Sequence, residues 1–432
     1  MKFRWTNDKS ARHQAGGDGS TADLRQRGYG RLLRSRRALV ALPLAGVLGI
    51  GGFVSASSLT HSAAAPPSSS EFITPLHTHG ANIVDAAGKT VTLTGVNWFG
   101  LETSTFAPDG LWARSYTSML SQIVASGFNA IRLPYSNALF GPDNTPNSIN
   151  YTLNPGLRGL RGLALMDKIV DAATSRGLMV ILDDHRPDQN AQSCLPNTST
   201  LSERQWIDEW AMLARHYRDN PRVIGADLHN EPCSPATWGT GNPQTDWRLM
   251  AEKAGDAVLK ANPHWLVFVE GIDNYQGQST WWGGDLAAAK RYPIQLSEPD
   301  HLVYEAHDYG PDVYNQSWFQ AKNFPHDLPA FWDRNWAYLN EQNIAPVLLG
   351  EFGGSVGNDA EGKWQATLVQ FIKQHHIGYT YWCWNPNSGD TGGVLTSNWQ
   401  TVDTAKLDLL HTYQFPLPQA PRHAPMNTGK RT

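Results

Sequence analysis

The sequence predicts an α/β fold: a (β/α)8 TIM barrel entered by an N-terminal β-hairpin. Three observations carry that expectation. Between about His79 and Leu410, eight short apolar runs alternate with segments of helical periodicity. The runs are apolar almost throughout, as strands covered on both faces of a parallel sheet must be. Each run also turns polar or aromatic at its end, and the strand ends of a parallel barrel gather at one face, which carries the active site.

The elements follow in order. ANIVDAAGKTVTL (Ala81–Leu93) reads as the hairpin, turning at Ala87-Gly88. The eight strand candidates are Leu93–Gly100, Ala130–Ser136, Leu178–Arg186, Val223–Glu231, Trp265–Gly271, Leu302–Tyr309, Pro346–Gly353 and Gly378–Asn385. Their ends supply Asn97-Trp98, Arg132, Asp184-His185, Asn230-Glu231, Glu270, His307 to Tyr309, Glu351 and Trp382. Between them, LMDKIVDAATSRG and WRLMAEKAGDAVLKANP have helical patterning and end in Gly or Asn-Pro, as helices do. No Ser/Pro-rich break interrupts this stretch, so a single domain over 79–412 is expected, preceded by a linker at 66–78 and followed by a Pro-rich, basic and disordered tail at 413–432.

The bulk composition excludes other classes. A formal net charge of −4 over 432 residues lacks the basic excess of a nucleic-acid binder. Three Cys are too few for a disulfide scaffold. Seventeen Trp are a generous supply: some fill the core, and so many flat rings also suit a groove that stacks on the rings of a substrate. The His residues are scattered, with no HExxH motif or tight Cys/His cluster, so neither metal nor cofactor is expected.

Residues 1–65 read as an export signal or a membrane anchor. An Arg-rich start is followed by the apolar run Ala38–Ala56 and then by SAAA, an order that suggests cleavage after Ala65. SRRALV (Ser35–Val40) resembles a twin-arginine signal. The alternative is an uncleaved anchor over 38–56, since about 19 apolar residues just span a bilayer. On either reading the rest of the chain lies outside the cytoplasm: secreted in the first case, tethered in the second.

DLHNEP (Asp227–Pro232) drives an apolar strand into a carboxylate, which is costly unless chemistry requires it. LLGEFGG (Leu348–Gly354) does the same on the seventh strand. Strands four and seven face each other across a barrel mouth, and two opposed carboxylates are the minimal equipment for cleaving a glycosidic bond. Glu270 and Glu305 compete with Glu351 as partner, Glu305 more weakly because it precedes its strand end. Arg132 and Tyr309 are expected to keep Glu351 ionised with a low pKa. Glu231 is expected in drier surroundings with fewer donors, which keep it protonated. Asn230 is a candidate donor to the sugar 2-hydroxyl.

GVNWFG, IRLPYS, DDHRPD, DLHNEP, AHDY, LGEFG and WNPNSGDTGG together resemble glycoside hydrolase family 5, specifically its bacterial endo-1,4-β-glucanases, over about Gly95 to Asp403. The resemblance implies a retaining double displacement with Glu231 as acid/base and Glu351 as nucleophile. It implies supporting roles for Arg132, His185, Asn230, His307 and Tyr309, a sugar-stacking floor at Trp382, and further platforms at Trp98 and Trp282. A β-glucan is the expected substrate and a monomer the expected state. Mannan, xyloglucan and mixed-linkage glucan are alternative substrates, and a non-catalytic glycan-binding barrel is the alternative from another class. Asp184 departs from the family pattern and could raise the pKa of His185 or alter the subsites. Cys194 and Cys233 follow adjacent strands, where either a bridge or two free thiols fits. Cys383 reads as a small core filler.

Overall fold

The computed structural model describes residues 72–417. The export signal or anchor, part of the linker and most of the tail expected from the sequence lie outside the described residues.

All eight expected strands form, and they close into one parallel barrel. They are β1 (Thr94–Asn97), β2 (Ala130–Ser136), β3 (Met179–Arg186), β4 (Val223–Asp227), β5 (Leu266–Glu270), β6 (Leu302–His307), β7 (Val347–Glu351) and β8 (Gly378–Tyr381). β8 pairs back onto β1, with Tyr381 opposite Val96, and this closes the ring. Helices α1 (Tyr116–Ala125), α2 (Leu163–Thr174), α3 (Glu203–His216) and α4 (Trp247–Ala261) follow the first four strands. After β5 the crossover carries no α-helix, only a small ribbon pairing Asn274–Tyr275 with Gln278–Ser279 and two 3-10 turns, Ala287–Lys290 and Pro299–His301. After β6 comes a broken helix, α5 (Leu328–Trp332) and α6 (Tyr338–Glu341), joined by a π-helical turn. α7 (Ala360–Gln374) and α8 (Thr404–His411) complete the outer layer.

The interior is layered by the two-residue pleat of the strands. Ala130, Ile181, Phe268, Val303 and Leu348 belong to one apolar cluster inside the ring. Two residues further along the same strands stand Arg132, Asp183, Glu270, Glu305 and Gly350. The barrel therefore changes from hydrocarbon to charge in a single step toward its C-terminal mouth. At the other mouth, Leu76, Ile83, Val91 and Leu93 join the apolar cluster and plug it.

That plug differs from the expected hairpin. The two-stranded ribbon pairs His77–His79 with Asn82–Val84 and turns at Gly80-Ala81. The turn at Ala87-Gly88 forms as well, but beyond it only the isolated bridge Val84 to Thr90 continues the pairing. Asp85 shapes this turn by accepting the backbone N–H groups of Ala87 and Lys89. Packing also begins and ends outside the expected limits: Leu76 is buried ahead of residue 79, and Tyr413 and Leu417 are buried after 412.

Most of the tryptophans serve the core rather than a groove. Several tie the outer helices to the strand ends through their indole N–H. Trp206 and Trp210 of α3 both donate to the Leu228 carbonyl, and Trp247 of α4 donates to the Glu270 carbonyl at 2.8 Å.

Cys194 and Cys233 form a disulfide across 39 residues, and Cys383 is a buried free thiol. Closing a loop of that length restricts the unfolded chain by up to about 4 kcal/mol. Replacing both Cys194 and Cys233 by Ser is expected to lower the thermal midpoint to that of the reduced wild type; equal midpoints for oxidised and reduced wild type would contradict this.

Candidate active site

Arg132 is the centre of the mouth. It rises from β2, is fully buried, and meets carboxylates from five other strands. Its guanidinium lies 3.0 Å from Asp183, 2.6 Å from Asp227, 3.3 Å from both Glu270 and Glu305, and 2.6 Å from Glu351. It also donates to Asn97 Oδ1 and Asn230 Oδ1. Five carboxylates around one cation cannot all remain ionised in a buried site. Burial pushes Asp183 and Asp227 up to about 7, with Arg132 acting against the rise, and pushes Glu270 and Glu305 well above the carboxylate range.

Glu351 stands at the end of β7, 3% exposed. Oε1 accepts from Arg132 Nη1 at 2.6 Å, and Oε2 accepts from the Tyr309 hydroxyl at 2.5 Å. Both expected donors are thus in place, but the expected low pKa is not. Burial outweighs them and pushes Glu351 up to about 7. Gly350, just before it, has no room for a side chain: a Cβ there would lie 1.7 Å from Glu305 Oε1.

Glu231 lies beyond the end of β4 in a left-handed conformation, φ +55°, a strained backbone for a residue with a Cβ. Its Oε1 lies 3.2 Å from His307 Nδ1, and its backbone N–H donates to Glu270 Oε2 at 2.8 Å. Burial, reinforced by the nearby charge of Glu351, pushes its pKa well above the carboxylate range. It has fewer donors than Glu351, as expected, but it is not the drier of the two: its side chain is 14% exposed against 4%. The contrast between them comes from donors rather than from burial. One carboxylate oxygen of Glu231, one of Glu351 and a ring nitrogen of His307 all lie within 4.8 Å of one another.

The remaining expected residues divide. His185 sits beside the pair, its Nδ1 2.8 Å from Asp183 Oδ2 and 3.9 Å from Glu351. Burial pushes the pKa of both His185 and His307 well down, so both imidazoles are neutral. Asn230 is buried, its backbone carbonyl accepting from Gln192 Nε2 at 2.7 Å. Trp382 is half-buried at the mouth, near-parallel to His185 and to Phe99 at 5.5 and 5.4 Å between ring centres. Trp282 is half-buried on the loop after β5, edge-on to Trp281. Trp98 is a correction: it is completely buried and its indole donates to the Asp109 carbonyl, so it offers no face to a sugar.

Asp184 belongs to the opposite face of β3 from Asp183. Burial, reinforced by the charges of Glu209 and Asp183, pushes its pKa well above the carboxylate range, and Trp206 and Asn137 lie beside it. The carboxylate that pairs with His185 is Asp183. Asp183 and Asp227 escaped the sequence reading; Asp183 stands two residues past the inward Ile181, a signal that would have found it, whereas Asp227 follows Gly225 and carries no such mark.

Among the described residues, three sets of side chains are close enough to share a metal ion: Asp183, His185 and Glu351; Glu231, His307 and Glu351; and Glu270, Glu305 and His307. In each set at least one carboxylate already pairs with Arg132, whose fixed charge meets the same electrostatic demand.

Tyr309 favours the ionised form of Glu351, so removing its hydroxyl raises that pKa further. Tyr309→Phe is expected to move the acidic limb of the kcat/KM profile to higher pH and to lower kcat/KM by about tenfold or more. An acidic limb that stays in place would separate it from Glu351.

Comparison with known proteins agrees with this geometry. The cellulase family, glycosyl hydrolase family 5, matches over residues 84–388. An endoglucanase of Paenibacillus polymyxa is 51% identical over 346 residues, covering 79% of this chain and 87% of the relative. The major extracellular endoglucanase of Xanthomonas campestris pv. campestris is 43% identical over 337 residues, 76% of this chain and 69% of the relative. The solved catalytic domain of that Xanthomonas enzyme superposes with a TM-score of 0.75 at 41% identity, covering 78% of this chain and 99% of that one. A cellotetraose complex of an endocellulase from Pyrococcus horikoshii gives 0.74 at 41% identity, with coverage of 79% and 99%. A barrel with two acidic strand ends opposed across its mouth and an overall sequence match of this extent have one reading: the chain belongs to the cellulase family, glycosyl hydrolase family 5.

Proposed function

We propose that this enzyme cleaves internal β-1,4-glucosidic bonds of cellulose or related β-glucans by a retaining double displacement, with Glu231 as acid/base and Glu351 as nucleophile. The approach of the two carboxyl groups carries the reading. Oxygens within 4.8 Å leave no room for a water between them and the sugar, as inversion would require, and suit direct attack by one carboxylate. The relatives support the substrate class: they are endoglucanases, and the Pyrococcus enzyme was captured with cellotetraose.

The chemistry follows from the contacts. Glu351 is the nucleophile because Arg132 and Tyr309 stabilise its charged form. Glu231, raised by burial and by that charge, holds its proton until the leaving oxygen takes it. Once Glu351 is esterified its charge is gone, and the pKa of Glu231 falls so that it can take a proton from water. Asn230, whose Oδ1 is occupied by Arg132, keeps its amide N–H groups to donate to the 2-hydroxyl. Trp382 lies against His185 at the mouth, where a glucose ring can stack; Trp282 is a second platform.

Glu231→Gln and Glu351→Gln are each expected to lower turnover of carboxymethyl-cellulose by about a thousandfold, and NMR of the first-formed product should show the β anomer. Substantial activity in both variants, or an α product, would refute the pairing.

Export is part of the proposal. The relative from Xanthomonas is extracellular by name, and among the described residues no helix is long and apolar enough to cross a membrane. The catalytic barrel would act as a monomer outside the cytoplasm. N-terminal sequencing of the secreted protein should begin after Ala65; a start at Met1 would favour retention through 38–56.

A further inference from the structure

Glu270 has a place in this site that neither of the opposed carboxylates explains. It ends β5, is fully buried, and touches the machinery of both. Oε2 accepts the backbone N–H of Glu231 at 2.8 Å. Oε1 lies 3.3 Å from Arg132 Nη2, and the same guanidinium bonds Glu351 through Nη1. His307 Nε2 lies 3.4 Å from Oε1, while its Nδ1 faces Glu231 Oε1. Glu270 is therefore joined to the backbone of Glu231 directly and to its carboxyl group through one imidazole.

The backbone of Glu231 needs such a hold. A left-handed residue with a Cβ persists only where its surroundings fix it. Rotation out of that conformation would swing the carboxyl group away from His307 and the cleft. The loop after β5 is shaped around the contact: Gly283, at φ +69°, has no side chain, and a Cβ there would sit 2.1 Å from Glu270 Oε2 and 3.5 Å from the Glu231 Cα. The Trp247 indole fixes the Glu270 backbone from behind, at the carbonyl.

We propose that Glu270 is a positioning residue for the acid/base: its carboxyl group clamps the Glu231 backbone and, with Gly283 leaving it room, holds the Glu231 side chain where it can protonate the leaving oxygen. The inference rests on Glu231 being the acid/base. It predicts a defect in proton donation alone, with the nucleophile left competent.

The test is a comparison of leaving groups. Cellotetraose needs protonation of its departing oxygen, whereas 2,4-dinitrophenyl β-cellobioside departs without it. Glu270→Gln keeps the shape but sets an amide N–H against either Arg132 or the Glu231 N–H, since each carboxyl oxygen now accepts from one of them. Gly283→Ala displaces the Glu270 carboxyl without altering any ionisable group. Both variants are expected to lose about 10- to 100-fold in kcat on cellotetraose, part of the usual range for general acid catalysis. Both should remain within about threefold of wild type in kcat/KM on the activated substrate, with a KM for cellotetraose little changed. Equal losses on the two substrates, wild-type behaviour of both variants, or failure of Glu270→Gln to fold would overturn the assignment, the last by giving Glu270 a role in the barrel instead. Glu231→Ala measured beside them separates the two levels. If it lacks the leaving-group selectivity, the acid/base reading itself fails; if it alone shows the selectivity, only the role of Glu270 fails.

Discussion

A single guanidinium buried among five carboxyl groups is the constraint on which the rest of this molecule depends. Removing ions from water is expensive, and a buried pair is tolerated only when the remaining lone pairs and protons are satisfied. Arg132 cannot neutralise Asp183, Asp227, Glu270, Glu305 and Glu351 together, so most of them retain protons at neutral pH. The protein thereby stores both acid and base within one layer of the barrel. The five differ in the donors they find beyond Arg132. Glu351 has the Tyr309 hydroxyl, whereas Glu305 has no hydrogen bond to either oxygen among the described residues.

The barrel provides that layer by its pleat. On β2, β3, β5 and β6 an apolar residue faces inward and a charged one follows two positions later, so charge gathers at a single level above a hydrocarbon plug. The outer helices hold the level in place. Indole N–H groups from α3 and α4 reach the Leu228 and Glu270 carbonyls, so the segments before Glu231 and around Glu270 are fixed from outside as well as from within. The loop after β3 adds a strap, through Gln192 to the Asn230 carbonyl, through His229 to the Ser193 carbonyl, and through the disulfide at Cys194. Positioning of Glu231 is distributed over three successive loops rather than left to its own strand.

The neutral imidazoles fit the same electrostatics. A charged histidine beside Arg132 would compete for the carboxylates and hold too many of them ionised. Burial keeps His185 and His307 uncharged, so they orient their neighbours without adding positive charge. The mouth then brings together Glu231, Glu351 and the half-buried Trp382.

The eight apolar runs, and with them the barrel, were legible because periodicity and burial leave their mark on consecutive residues. The opposed glutamates were legible for the same reason, since an acidic residue closing an apolar strand stands out against its neighbours. The hairpin register, the burial of Trp98 and the outward face of Asp184 were not, because each depends on which side of the backbone a residue takes and on what packs there. Sequence by itself determined the strand order, the polar ends and so the residues available to the site. Only the tertiary structure decided that five acids share one arginine, that burial lifts Glu351 despite its donors, and that Glu270 grips the backbone of Glu231. Those outcomes depend on distances between segments far apart in the chain, and on the loss of water between them, neither of which a linear pattern carries.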